Sequence, residues 1–197
     1  VAAAILSGLG GRNDLGFHGG LIDDGVMQLA IDGNLTGKRK AIDIGKHVTG
    51  IALGSQDLFE WLAQESTVVF KSANYTHEVS VIRQLDNFVS INSAVEIDLF
   101  GQVNAEVIGG RQISGTGGSV DFMRASKSSK GGRSIVAMSA TARRGEISRI
   151  VPRVEMVTAL RTDLDIVVTE FGVVRLKDAS LEDRAWRLIH IAHPIFR

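Results

Sequence analysis

The feature that most restricts the fold of this chain is a regular exchange between short apolar runs and capped amphipathic stretches. Leu15–His18 reads as a short strand. Asp23 or Asp24 then caps a helix with Val26, Leu29 and Ala30 on one face, stopped by Gly33. Val48–Leu53 reads as a buried strand, and Ser55 caps a helix that turns Leu58, Phe59 and Leu62 inward. Val68–Phe70 is the next strand and "HEVSVIRQL" a short helix; Ile135–Met138 and Asp165–Thr169 are further buried strands. A last helix starts at Ser180, which forms a capping box with Asp183 and points Leu181, Ala185, Leu188, Ile189 and Ala192 inward. Strands separated by helices need crossover connections, so the expected fold is α/β: a mixed, largely parallel sheet flanked by helices.

One stretch breaks the rhythm. "FVSINSAVEIDLFGQVNAEVI" alternates with period two, placing Val89, Ile91, Val95, Ile97 and Leu99 on one face and Asn92, Glu96 and Asp98 on the other. With a turn near Phe100-Gly101, and Val103, Ala105 and Val107 continuing the apolar set, this predicts a long antiparallel hairpin. "SKSSKGGRS", Ser126 to Ser134, reads as a surface loop between core elements. The opening "VAAAILSGLGG" reads as the tail of a preceding helix ended by Gly10-Gly11, so residues 1–14 are expected to be a tail or linker and 15–197 a single domain.

Composition removes several function classes. The 22 basic and 22 acidic residues balance, which argues against a nucleic-acid footprint or a polybasic membrane surface. Cysteine is absent, which excludes a thiolate metal site and a cysteine nucleophile and fits a cytoplasmic location. No apolar run reaches the ~20 residues of a membrane-spanning helix. Of the five histidines, His190 and His193 stand three apart near a helix end without a third ligand in reach, so no metal site is expected.

Four segments carry candidate chemistry. "GNLTGKR", Gly33–Arg39, imitates a phosphate loop but lacks the spacing and the Ser/Thr after the lysine, so an ordinary connection is expected. Glu96 and Asp98 share a strand face and form a candidate acid–base pair; a hydrogen-bonded structural role is favoured. "SGTGGSVDFMRA" places three glycines, Gly115, Gly117 and Gly118, directly before a helix at Ser119. Free amides of such a turn, added to those of a helix N-terminus, form an anion or oxyanion pocket; a tight packing turn is the equal alternative. Lys127, Lys130 and Arg133 follow closely and offer phosphate contacts. The fourth, "LGFHGGLIDDG", has the layout of an active-site corner with no side chain at its apex.

Together, "LGFHGGLIDDGV", "VSINSAVEIDLFGQVNAEVIGG", "SGTGGSVDFMRAS", "KGGRSIVAM", "SRIVP", "DIVVTEFGVVRL" and "RLIHIAHPIFR" resemble the C-terminal domain of the acetyl-CoA hydrolase/transferase family, which includes the 4-hydroxybutyrate and acetate CoA-transferases. The resemblance implies a CoA-transferase-type domain, coenzyme A as substrate and an N-terminal domain of similar type. It also implies covalent catalysis, in which a glutamate passes through a mixed anhydride and a glutamyl-CoA thioester while the Gly115–Gly118 turn stabilises oxyanions.

The chain departs from that pattern twice. Where the family has Gly-aliphatic-His-Thr/Ser-Glu-Met, this sequence has Gly16-Phe17-His18-Gly19-Gly20-Leu21, so the nucleophile position is Gly20. Where the family has an asparagine after Tyr-Thr, this chain has His77. The expectation is then an acyl-CoA enzyme without a glutamate at residue 20, carrying out CoA-thioester hydrolysis, with His77 as the candidate base for a water, or CoA transfer between carboxylic acids; the alternative is a domain that binds acyl-CoA without turning it over. Acyl-CoA, small carboxylic acids, the N-terminal domain and further copies of the chain are the expected partners; nucleic acid, membrane and metal are not.

Overall fold

The computed structural model describes residues 2–197. Within the span expected as one domain, the chain divides into two compact units: the first runs to Phe88 and includes Ser128–Gly132, and the second comprises Val89–Lys127 and Arg133–Arg197.

The first unit contains α1 (Ala2–Ser7), β1 (Leu21–Ile22), α2 (Asp24–Ile31), β2 (His47–Thr49), β3 (Ile51–Ala52), α3 (Gln56–Leu62), β4 (Val68–Phe70), α4 (Ala73–Thr76) and α5 (Val79–Ile82). Its strands are parallel: β1 lies beside β3 and β2 beside β4, and a further bridge joins His18 to Val48. The expected strand at Leu15–His18 survives only as single bridges at Leu15 and His18, because the bend at Gly19-Gly20 delays regular pairing until Leu21. Asp23 is the cap of α2, its carboxylate accepting from Val26 N at 3.1 Å, an arrangement worth about 1 kcal/mol. Asp24 accepts instead from the backbone and hydroxyl of Ser55. Ile22, Val26, Leu29 and Leu35 form the core, with Leu6, Leu9, Trp61 and Leu62 packed on it. Phe59, expected inward, is exposed; Leu58 alone of α3 is fully buried.

The second unit contains β5 (Val89–Asn92), β6 (Glu96–Asp98), β7 (Val103–Asn104), β8 (Val107–Ile108), β9 (Arg111–Gln112), α6 (Ser119–Ser128), β10 (Arg133–Ala137), β11 (Thr141–Ala142), β12 (Ile147–Ser148), β13 (Ile150–Val151), β14 (Ile166–Thr169), β15 (Gly172–Arg175) and α7 (Leu181–His190). A four-stranded sheet has the order β15-β14-β10-β5, parallel except for β15, and a smaller sheet has the order β13-β6-β7. The core gathers Ile97, Val103, Met123, Val136, Val167, Leu176, Leu188 and Ile191. Leu181, expected inward, is exposed, whereas Leu188 is sealed. Among the described residues no helix is long and apolar enough to cross a membrane.

The long hairpin is the main correction. Its first half, β5, leaves to pair in parallel with β10, and only β6 and β7 make the antiparallel turn, with Glu96 opposite Asn104. Between β5 and β6 the strand is interrupted at Ser93–Val95, and the Arg149 guanidinium donates to the carbonyls of Ala94 and Val95 there. On β5 the expected faces are reversed: Ser90 is buried against Ser126 of α6, hydroxyl to hydroxyl at 3.1 Å, while Val89 and Ile91 are exposed. Two small serines let helix and strand approach closely, and that contact outweighs the apolar pattern. The expected loop at Ser126–Ser134 is also shorter, since α6 continues to Ser128 and β10 begins at Arg133.

Candidate functional site

In the first unit, candidate chemistry surrounds the His18-Gly19-Gly20 bend. The backbone there is tied to the neighbouring strand: Gly19 N donates to Val48 O at 3.0 Å, and Gly20 O accepts from Gly50 N at 3.2 Å and Ile51 N at 3.0 Å. His18 is buried, with Nε2 3.2 Å from Thr76 O and Nδ1 without a hydrogen-bond partner. With Nε2–H donating to the carbonyl, the ring is neutral. Burial, reinforced by the nearby charge of Lys40, lowers its pKa from 6.5 to about 4.

Lys40 was not legible as a site residue. Its ammonium is buried and donates to Phe17 O at 3.1 Å and Lys46 O at 2.8 Å, joining the strand that carries His18 to the approach of β2. Burial lowers its pKa to about 8, with Asp43 acting in the opposite sense. Asp43 itself accepts from the Tyr75 hydroxyl at 2.9 Å. His47 is also buried and held below its ordinary pKa, first by desolvation and then by Lys40. A lysine three residues before an aspartate in a polar loop gives no sequence signal of this kind; only packing distinguishes it from a solvated charge.

His77 caps the C-terminus of α4, and its Nδ1 lies 2.8 Å from Thr76 Oγ1. Thr76 Oγ1 can donate its proton to Ser72 O at 3.4 Å, in which case it accepts from His77 Nδ1–H and the ring lone pair resides on Nε2. The "GNLTGKR" segment is the ordinary connection expected: Gly37 N donates to Leu15 O, and Thr36 Oγ1 donates to Asp14.

In the second unit, the glycine turn is exposed and open. Gly117 has φ +53°, and a Cβ added at Gly115 or Gly117 would meet nothing within 4 Å. The first α6 bond runs from Phe122 N to Gly118 O at 3.1 Å. The cap position is therefore glycine, which brings no side-chain acceptor of its own. Of the three basic residues, Lys127 lies on α6 nine residues beyond Gly118, about 13 Å along the axis. It donates to Thr162 O at 3.0 Å. Arg133 opens β10, and Lys130 belongs to the first unit. The three therefore do not share one loop.

The carboxylates of β6 are structural acceptors in this geometry. Glu96 accepts from Asn104 Nδ2 at 2.9 Å and Glu155 N at 2.8 Å. Asp98 is fully buried and closes the turn by accepting from Phe100 N, Gln102 N and Gln102 Nε2. His193 caps the final short helix and packs edge-on against Phe171 at 5.1 Å. Among the described residues no group of three or more His, Cys, Asp or Glu side chains could hold a metal ion.

A second residue missed in the sequence is Asn92, the last residue of β5. Its side-chain Nδ2 is sealed from solvent and has no hydrogen-bond partner. The period-two pattern assigned it only to a polar face.

Comparison with known proteins gives a consistent result. The profile of the acetyl-CoA hydrolase/transferase C-terminal domain matches residues 54–197. A 4-hydroxybutyrate coenzyme A transferase of Clostridium kluyveri is 44% identical across all of this chain and 47% of its own length. An acetyl-CoA hydrolase of Eremothecium gossypii is 29% identical across all of this chain and 37% of its own length. The crystal structure of RipA from Yersinia pestis superposes with TM-score 0.95 at 42% identity, covering 98% of this chain and 44% of that one. The chain thus spans less than half the length of these relatives.

Proposed function

Because the chain belongs to the acetyl-CoA hydrolase/transferase family, we propose that it is the C-terminal part of an enzyme that cleaves acyl-CoA thioesters by hydrolysis, without a glutamyl-CoA intermediate at residue 20. The observation that carries this reading is Gly20, which has no carboxylate where the family pattern has its nucleophile. The bend is otherwise intact, since its backbone is tied to Val48, Gly50 and Ile51. With no carboxylate at residue 20, a water has to supply the attacking oxygen. His77, with its lone pair on Nε2, takes a proton from that water as the oxygen bonds to the thioester carbon. The C–S bond then breaks, the thiolate recovers the proton, and the products are a carboxylic acid and free CoA. In the complete enzyme a CoA-transferase-like N-terminal domain accompanies this chain, a reading that fits its share of its relatives' length.

The test uses the full-length natural protein and acetyl-CoA with no acceptor acid. Expected are release of free CoA and no covalent CoA adduct by intact-mass spectrometry. Gly20→Glu restores a carboxylate at the position where the family pattern has its nucleophile and should yield an adduct and transfer to added carboxylates. Binding without CoA release by the natural protein would leave a non-catalytic acyl-CoA-binding domain. A CoA adduct on Glu96 or another natural carboxylate would show that the nucleophile has moved and reject the hydrolytic reading.

A further inference from the structure

Asn92 presents a donor with nothing to donate to. An amide N–H sealed from water and left unpaired is costly, and natural interiors pair nearly all such groups. Its position in the fold says what that ligand meets. β5 and β10 are parallel, with Asn92 beside Val136, and α6 leads directly into β10, so α6 runs antiparallel to both strands. Its N-terminus therefore lies at their carboxyl edge, where open parallel sheets bind ligands.

The serine contact fixes the level. Ser90 and Asn92 point to the same face of β5, and Ser90 touches Ser126. Two strand residues advance about 6.6 Å toward the carboxyl edge. The same distance back along α6 is four to five residues, which reaches Asp121 or Phe122 in its first turn. By this reckoning the orphaned amide stands level with the first turn of α6, whose cap position is a glycine. The side-chain amide donates, as do the backbone N–H groups of any helix first turn. The complementary ligand group is an oxygen that only accepts.

We propose that Asn92 is a substrate-binding residue whose side-chain N–H donates to the carbonyl oxygen of the acyl thioester. This rests on the acyl-CoA reading above and goes beyond the backbone turn. CoA itself has no oxygen at that position, so the residue distinguishes acyl-CoA from free CoA.

The experiment compares two probes on the full-length protein by calorimetry: CoA, and the ketone analogue of acetyl-CoA in which a CH2 replaces the thioester sulfur. Asn92→Asp keeps the shape and replaces the donor by an acceptor; Asn92→Ala removes it. Expected are a Kd for CoA within about twofold of the natural protein and a Kd for the ketone raised about tenfold or more, the range of one lost hydrogen bond to a buried group. Infrared spectra of the 13C-carbonyl ketone on the natural protein should show a stretch lowered relative to the free ligand, a readout that does not depend on the variants folding. Equal weakening of both probes, unchanged ketone affinity or an unshifted stretch would overturn the role of Asn92 alone. A natural protein that binds neither probe overturns this role and the acyl-CoA reading together.

Discussion

Replacing His18 with glutamine removes a titrating ring while keeping an N–H donor for Thr76 O. His18 is only 6% exposed, and its pKa falls from 6.5 to about 4 because burial disfavours the imidazolium. Between those two values the unfolded chain holds a proton on this residue and the folded chain does not. Folding stability is therefore undiminished above pH 6.5, declines as the pH falls below it, and has lost the whole contribution once the pH drops below about 4. The full loss is about 3.4 kcal/mol, and about 2 kcal/mol of it is reached at pH 5. Glutamine carries no such dependence. Near pH 7.5 the variant should be less stable by about 1 kcal/mol, reflecting one weakened hydrogen bond and lost ring contacts with Tyr75 and Phe88. At pH 5 the order should reverse. Urea unfolding reports this through Trp61, which packs on the core of the first unit, in a Trp186→Phe background that silences the other tryptophan. Carboxylates that titrate in the same range cancel in the difference between the two proteins. Parallel stability curves from pH 7.5 to 5, or an NMR titration of the His18 ring near 6.5, would refute the assignment of a buried neutral imidazole.

Two other substitutions test the second unit. Gly117→Val puts a β-branched residue at φ +53° in otherwise empty space, so it should cost about 1–2 kcal/mol of backbone strain without a clash. It should also abolish thermal protection by acetyl-CoA; protection equal to that of the natural protein would exclude the turn from binding. Glu96→Gln weakens the acceptor shared by Asn104 and Glu155 N, and chemical denaturation should show a loss of about 1–2 kcal/mol with thioester turnover preserved. A folded, CoA-binding variant with no turnover would make Glu96 a reacting group.

Local patterns in the sequence carried the alternation of strands and helices, the caps at Asp23, Ser55 and Ser180, the glycine turn before α6 and the absence of a side chain at residue 20. Each depends on neighbours within a few residues, so chain chemistry alone specifies it. Pairing was not specified in that way. The run from Val89 to Val107 satisfies a hairpin and a divided strand equally well, and the choice fell to β10, which pairs with β5, and to Arg149, which satisfies the break from 54 and 55 residues away. Burial reversed the faces of β5 because a serine at 90 can meet a serine at 126, a contact that no period along one strand reveals. The same holds for titratable groups. Lys40 read as an ordinary polar residue and His18 as part of a candidate corner, but their depressed pKa values arise from the desolvation that folding imposes on each. Asn92 is the sharpest case. Its residue type and position on a strand were plain, but an unpaired donor exists only once the surrounding fold has excluded water from its nitrogen.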